Sequence, residues 1–247
     1  MFTVEGRDRT RERILELAAA DPRVVAGAEI GALALGGGDR WSDLDLTFGV
    51  DDAVPVAEVL DDWTRELERE LDATHLFDLA AGPSTYRVFL LPGCLQVDLS
   101  CTPASAFGAR GPKFALLFGT TVELPHGSPP SPHHLFGLAV HHAVRARICI
   151  ERGRPWQAEY WITTLRQHAL ELACLRRGLE PSHGRGFDDL PADVREPFAA
   201  TLVRSVERGE LLRALEAAVA ALLRESNDAR DLAAKVETRL HELTRSG

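Results

Sequence analysis

The sequence predicts an α+β protein in two parts: a mixed β-sheet flanked by helices over residues 1–125, then an antiparallel helical bundle over 132–247. Three observations carry this. The segment PHGSPPSPHH, residues 125–134, holds four prolines, a glycine and two serines, which can continue neither a helix nor a central strand. Before it, short runs of period-two hydrophobicity alternate with helical patterns. After it, nearly every apolar run repeats at helical spacing.

Taken in order, residues 7–20 read as a helix and 28–35 as a short buried strand that ends at Gly36-Gly37-Gly38. Residues 44–50 (LDLTFGV) alternate as a half-buried strand does. Residues 55–72 form a helix with Pro55 near its start, where a missing N–H costs little. Strands follow at 75–80, 84–91 and 94–101, the last two joined by a Pro92-Gly93 turn, and Phe114–Phe118 adds another. In the second half, helices are expected at 133–152, 156–177, 192–208, 210–225 and 228–244, with a loop over 182–191.

Composition excludes several classes. No window offers 18 uninterrupted apolar residues, so no membrane span is expected, and the charged start MFTVEGRDRTRER lacks the apolar core of a signal peptide. The expected location is the cytoplasm. Cys94, Cys101, Cys149 and Cys174 form no CxxC pair and read as buried, reduced thiols. The chain carries a net charge of −9, spread unevenly: residues 1–125 hold 11 basic and 21 acidic side chains. Such a surface repels a nucleic-acid backbone, so broad nucleic-acid binding is not expected. It suits a divalent cation or a cationic small molecule.

The chemistry concentrates in the segment from Gly31 to Leu46. Asp43 and Asp45 stand two apart at the start of a strand, so their carboxylates share one face while Leu44 and Leu46 point into the core. Paired hard oxygen donors suit Mg²⁺, which shares its shell readily with phosphates. A third carboxylate, Asp98, sits between Val97 and Leu99 in another strand. If that strand lies beside residues 44–50, three carboxylates converge, enough for one or two metal ions.

Gly31, Ala34, Gly36, Ser42, Asp43, Asp45, Leu46 and Asp98 together resemble, in order and spacing, the nucleotidyltransferase superfamily with the polymerase-β-like fold. The motif resemblance spans residues 28–101, and the two-part layout is similar to that of antibiotic nucleotidyltransferases acting on aminoglycosides or lincosamides. It implies a Mg²⁺-dependent enzyme with two ions. Such an enzyme moves a nucleoside monophosphate from an NTP to a hydroxyl of a small-molecule acceptor and releases pyrophosphate. It also implies that Asp43, Asp45 and Asp98 hold the metals, and that Gly31, Ala32, Gly36 and Ser42 cradle phosphates. Ala32 stands where the family usually has Ser, and Leu35 where a polar residue is common; backbone N–H groups of the turn could still bind phosphate.

Arg110 and Lys113 follow the third acid and are within reach of a triphosphate in sequence terms. Glu159, on the second bundle helix, is a candidate general base for the acceptor hydroxyl. Trp156, Tyr160 and Trp161 are expected to pack within the bundle. His133, His134, His141 and His142 show no i, i+4 pair and no adjoining acid, so no zinc set is expected. Two other functions stay open: a toxin–antitoxin-type nucleotidyltransferase that modifies a protein or tRNA, and a non-catalytic nucleotide-binding protein. A homodimer is compatible with all of them.

Overall fold

In the computed structural model, which describes residues 1–127 and 129–245, the chain divides into two units, Met1–Ser128 and Pro129–Gly247. The first is α+β. Helix α1 (Val4–Ala20) is followed by strands β1 (Val24–Ile30) and β2 (Leu44–Val50), helix α2 (Val56–Leu71), and strands β3 (Thr74–Ala81), β4 (Ser84–Leu91), β5 (Leu95–Pro103) and β6 (Phe114–Phe118). The strands form one mixed sheet in the order β3-β4-β5-β2-β1-β6, in which β2 and β5 run parallel and the other neighbours antiparallel.

Alternation along the two central strands decides which face is which. Leu44, Leu46, Phe48 and Val50 of β2 and Leu95, Val97, Leu99 and Cys101 of β5 are buried together. Against them pack Ile14 and Ala18 of α1 and Val59, Leu60, Trp63 and Leu67 of α2. Both helices therefore cover one face, and the odd-numbered positions of β2 and even-numbered positions of β5 belong to the other. Helix α1 starts on a true cap, with Thr3 Oγ1 accepting the Gly6 N–H at 3.0 Å. It is clamped to β1 by Arg11, whose Nε donates to Glu29 Oε1 at 2.8 Å.

The strand expected at 28–35 is displaced. It runs Val24–Ile30 and stops where Gly31 takes φ +74°, after which the chain turns through residue 36. Short apolar runs mark burial, not extension, and Ala32, Leu33 and Ala34 lie in the turn although they read as strand.

The second unit is helical: α3 (Pro132–Glu151), α4 (Pro155–Leu175), α5 (Ala192–Arg195), α6 (Arg208–Arg224) and α7 (Arg230–Thr244). Its core is rich in alanine, with Ala139, Ala143, Ala146, Ala158, Ala169, Ala214 and Ala218 fully buried, so α3, α4 and α6 approach closely. The helix expected over 192–208 is overturned. Only Ala192–Arg195 is α-helical, Glu196–Thr201 is a 3-10 turn around Pro197, and residues 202–205 are irregular. Pro197 has no N–H to give and crowds the preceding turn. Of the aromatic trio, Trp161 stacks inside the unit, but Trp156 is 75% and Tyr160 59% exposed. Cys101, Cys149 and Cys174 are buried, whereas Cys94, in the turn before β5, is exposed. No helix of the described residues is long and apolar enough to cross a membrane.

Candidate active site

The parallel pairing of β2 with β5 places Asp45 directly opposite Asp98 in register. Neighbouring strands lie about 4.8 Å apart, so these two acids are lateral neighbours on one face. That face is the one turned away from α1 and α2, because Leu44 and Leu46, Val97 and Leu99 point the other way into the core. Asp43, one residue before β2, has the same parity as Asp45. All three carboxylates are half-buried.

The electrostatics are those of crowded acids. Burial raises the Asp98 carboxyl above its usual range, and the charge of Asp43 raises it further, against the opposing effect of Gln96, whose Nε2 donates to Asp98 Oδ1 at 3.0 Å. Asp43 and Asp98 therefore feel each other across the strand pair. As placed, no three His, Cys, Asp or Glu side chains among the described residues form a set able to hold a metal ion. The donors nevertheless fit a divalent cation in kind: hard carboxylate oxygens on adjacent rigid strands, one of them held protonation-prone by burial and by its neighbour's charge.

Gly31 closes one side of this group. Its φ of +74° favours glycine, and a Cβ there would lie far inside van der Waals contact with Asp45 Oδ2. The glycine is thus required twice, by the turn and by the carboxylate against it. Its N–H donates to the Lys113 carbonyl at 3.2 Å, which brings the chain just before β6 alongside the turn; the Lys113 side chain is exposed. Gly36 also has positive φ (+70°) but nothing within 4 Å of a would-be Cβ, so there the demand is conformational only. Ala32 is half-buried in the same turn.

Ser42 is engaged within the loop. Its hydroxyl accepts the Asp39 N–H at 2.9 Å and donates to Asp39 Oδ1 at 3.2 Å, while that same oxygen accepts the Trp41 N–H at 2.8 Å. These bonds hold the Asp39 carboxyl below its usual range, the Trp41 N–H contributing most. The sequence did not single out Asp39, although an Asp three residues before a Ser is a recognisable loop-closing pair.

Two residues along from the acid pair, and on the same face, Ser100 of β5 lies opposite Thr47 of β2 and Tyr86 of β4. It is 1% exposed, and its hydroxyl has no hydrogen-bond partner among the described residues. Sequence reasoning missed it because a serine in an apolar strand carries no signal until its neighbours are known.

Glu159 belongs to the helical unit, on α4, where its Oε1 accepts from Thr163 Oγ1 at 2.6 Å. In the same unit His142 stacks on His168, with ring centroids 5.1 Å apart, and lies against the tilted Trp161 ring at 4.9 Å.

No protein-family model matches the chain, and no curated protein sequence does. Among solved structures, the chain is similar to an aminoglycoside 6-adenyltransferase from Bacillus subtilis, with 12% identity and a TM-score of 0.41 over 100% of both chains. It is also similar to a nucleotidyltransferase-like protein from Exiguobacterium sibiricum, with 13% identity and a TM-score of 0.35, covering 93% of this chain and 80% of that one. At that distance neither likeness assigns an activity, which has to be argued from this chain's own residues.

Proposed function

We propose that this chain is a nucleotidyltransferase that moves a nucleoside monophosphate from an NTP to a hydroxyl of a small molecule. The observation that carries the reading is the register match of Asp45 with Asp98 on the face turned away from α1 and α2, with Gly31 set against Asp45. Asp43, Asp45 and Asp98 would hold Mg²⁺, whose chemistry is to neutralise the polyphosphate and the charge that develops at the reacting phosphorus.

The protein's own part is to place and to polarise. The turn from Gly31 to Ser42, including Ala32 and Gly36, would cradle the β- and γ-phosphates through backbone N–H groups other than those of Gly31, Gly36 and Ser42, which donate to the Lys113, Leu33 and Asp39 carbonyls, with Lys113 as a candidate side-chain partner. The acceptor oxygen forms a bond to the α-phosphorus as the bond from that phosphorus to the pyrophosphate oxygen breaks. The acceptor's proton passes to a base, for which Asp98 and Glu159 are the two candidates. Burial and the charge of Asp43 both favour proton uptake by Asp98. An aminoglycoside, itself cationic, suits the acidic first unit as acceptor; a lincosamide or an endogenous metabolite is the alternative.

The test is pyrophosphate release with each of the four NTPs, Mg²⁺ and a panel of aminoglycosides, lincosamides and small hydroxylated metabolites. Asp45→Asn and Asp98→Asn are each expected to cut turnover by about a hundredfold or more, the usual cost of losing charge stabilisation at a transferring phosphoryl group. Wild-type turnover in both variants would sink the assignment. Tight Mg·NTP binding with no turnover on any acceptor would instead favour a nucleotide binder, a reading supported by Ala32 lacking a hydroxyl and Ser42 spending its own on Asp39.

A further inference from the structure

Helix α1 carries an unusual residue on its core-facing stripe. Its buried positions are Arg7, Thr10, Ile14 and Ala18, a helical repeat in which the first member is a guanidinium. Arg7 is 6% exposed. A buried arginine is costly unless its N–H groups are used. Here Nη1 donates to the Asp39 carbonyl at 2.7 Å and to the Ser42 carbonyl at 3.1 Å, partners 32 and 35 residues away in sequence. Among the described residues it pairs with the Asp8 carboxylate, which is exposed and lies 3.4 Å from Nε. The guanidinium thus makes its shorter bonds to the loop and its longest to the Asp8 carboxylate.

Those two carbonyls bracket the segment that leads into the acid pair. The described chain has no cis peptide bond. In a trans peptide the N–H points opposite to its C=O. Anchoring the Asp39 and Ser42 carbonyls on Arg7 therefore turns the N–H groups of Arg40 and Asp43 away from α1. Asp39 and Ser42 close the same loop through their side chains. The loop is held from beneath by Arg7 and from within by this pair, and a fixed positive charge lies under a loop that ends at Asp43.

We propose that Arg7 is a positioning residue for nucleotide binding: by gripping the Asp39 and Ser42 carbonyls it presets the Arg40 and Asp43 N–H groups, and the Asp43 carboxylate that follows, for an anionic polyphosphate and its cation. This rests on the nucleotidyl-transfer reading above. An apolar residue at this position would pack α1 as well, but would take the charged donor from both loop carbonyls, leaving Asp39's with the longer Ser42 N–H bond at 3.3 Å, and would loosen the loop's peptides.

The test compares wild type, Arg7→Gln, Arg7→Lys and Asp45→Asn by calorimetric titration with Mg·ATP, Mg·GTP, Mg·CTP and Mg·UTP, by KM and kcat on the acceptor found in the screen, and by hydrogen exchange over residues 39–43. Arg7→Gln is expected to raise Kd and KM for the preferred Mg·NTP about tenfold, the scale of one charge-assisted hydrogen bond, with kcat changed by less than about threefold. Exchange over 39–43 should quicken while β2 stays protected. Arg7→Lys, which keeps the charge but reaches the carbonyls with a single point, should recover part of the loss. Asp45→Asn should do the reverse, losing kcat. If Arg7→Gln binds within about twofold of wild type, the role assigned to Arg7 is wrong. If Arg7→Gln does not fold, wild type decides: added Mg·NTP must slow exchange over 39–43, and unchanged exchange overturns the proposal. Wild type that binds no Mg·NTP at all overturns the nucleotide reading itself; wild type that binds, indifferent to Arg7, overturns only this inference.

Discussion

Gly31 is where the local backbone and the candidate chemistry meet. Replacing it by Ala forces a side chain into a positive-φ position and against Asp45 Oδ2. Gly31→Ala is expected to cost about 1–2 kcal/mol of stability from the left-handed backbone alone. By moving the carboxylate it should also weaken Mg·NTP turnover by about tenfold or more, since small misplacements at a reacting centre are amplified in rate. Chemical denaturation and pyrophosphate release read the two effects separately. A second residue-scale expectation concerns His142. Burial, with His168 and His141 beside it, pushes its imidazole down to about 4, and its Nδ1 has no partner among the described residues. Around it stand Arg145, which lies over the Trp161 ring, and Glu171, which bonds His168 at 2.8 Å. A histidine depressed in the fold is neutral there and protonates more readily when unfolded. Its contribution is therefore complete above about pH 6.5 and is lost as pH falls towards about 4. His142→Phe keeps the ring stack and removes the titration. Its unfolding free energy should fall less steeply over that window than wild type's, by up to one proton, read from urea denaturation at pH 7.5, 5.5 and 4.5. Parallel curves for the two proteins would refute the assignment.

At the scale of elements, the helix-facing side of β4 is tied to its neighbours by one buried arginine. Arg87 Nε and Nη2 donate to the two Asp78 oxygens of β3 at 2.7 Å each, and Nη1 donates to Asp61 and Thr64 of α2, both at 2.9 Å. This bidentate pair raises the Arg87 guanidinium and lowers the Asp78 carboxyl. Arg87→Met would keep the apolar stem but take the guanidinium from Asp61 and from Asp78, which would keep its His75 Nε2 contact at 3.0 Å. Because Asp78 and Asp61 are partly exposed, the cost is discounted to about 1–3 kcal/mol, below the range for a fully buried pair. The loss should appear first as faster hydrogen exchange in β3, the edge strand, whose Leu76, Phe77 and Leu79 side chains are largely exposed and supply little core packing. Exchange that quickens evenly over the sheet would count against this local view. The misread helix at 192–208 belongs to this scale too. Its periodicity was real enough to bury Phe198, but Pro197 removed the hydrogen bond on which an α-helical turn depends.

For the whole molecule, the governing fact is that the two units have separate cores. One is the sheet with α1 and α2, the other the alanine-rich helices. Heat unfolding is expected to depart from two-state behaviour, with a calorimetric enthalpy exceeding the van't Hoff value. Equal enthalpies would show that the units unfold as one. The charge asymmetry also acts at this scale. The first half carries the acidic excess, so added salt should stabilise its transition more than that of the helical half.

The sequence by itself determined the local features of this protein. The proline-rich break at 125–134, the alternation of 44–50 and the parity of Asp43 with Asp45 follow from steric and periodic rules acting over a few residues. The partnership of those acids with Asp98 was legible only as a condition, that one strand lie beside another more than 50 residues away. Only the tertiary structure met it, through a parallel β2–β5 register set by how Leu46 and Leu99 share the core. The structure alone also showed that Gly31 abuts Asp45, that Ser42 is tied to Asp39, that the Ser100 hydroxyl has no hydrogen-bond partner among the described residues, and that Arg7 grips the loop from α1. Each depends on contacts between distant segments. A local pattern specifies which way a side chain points, but not what it will meet.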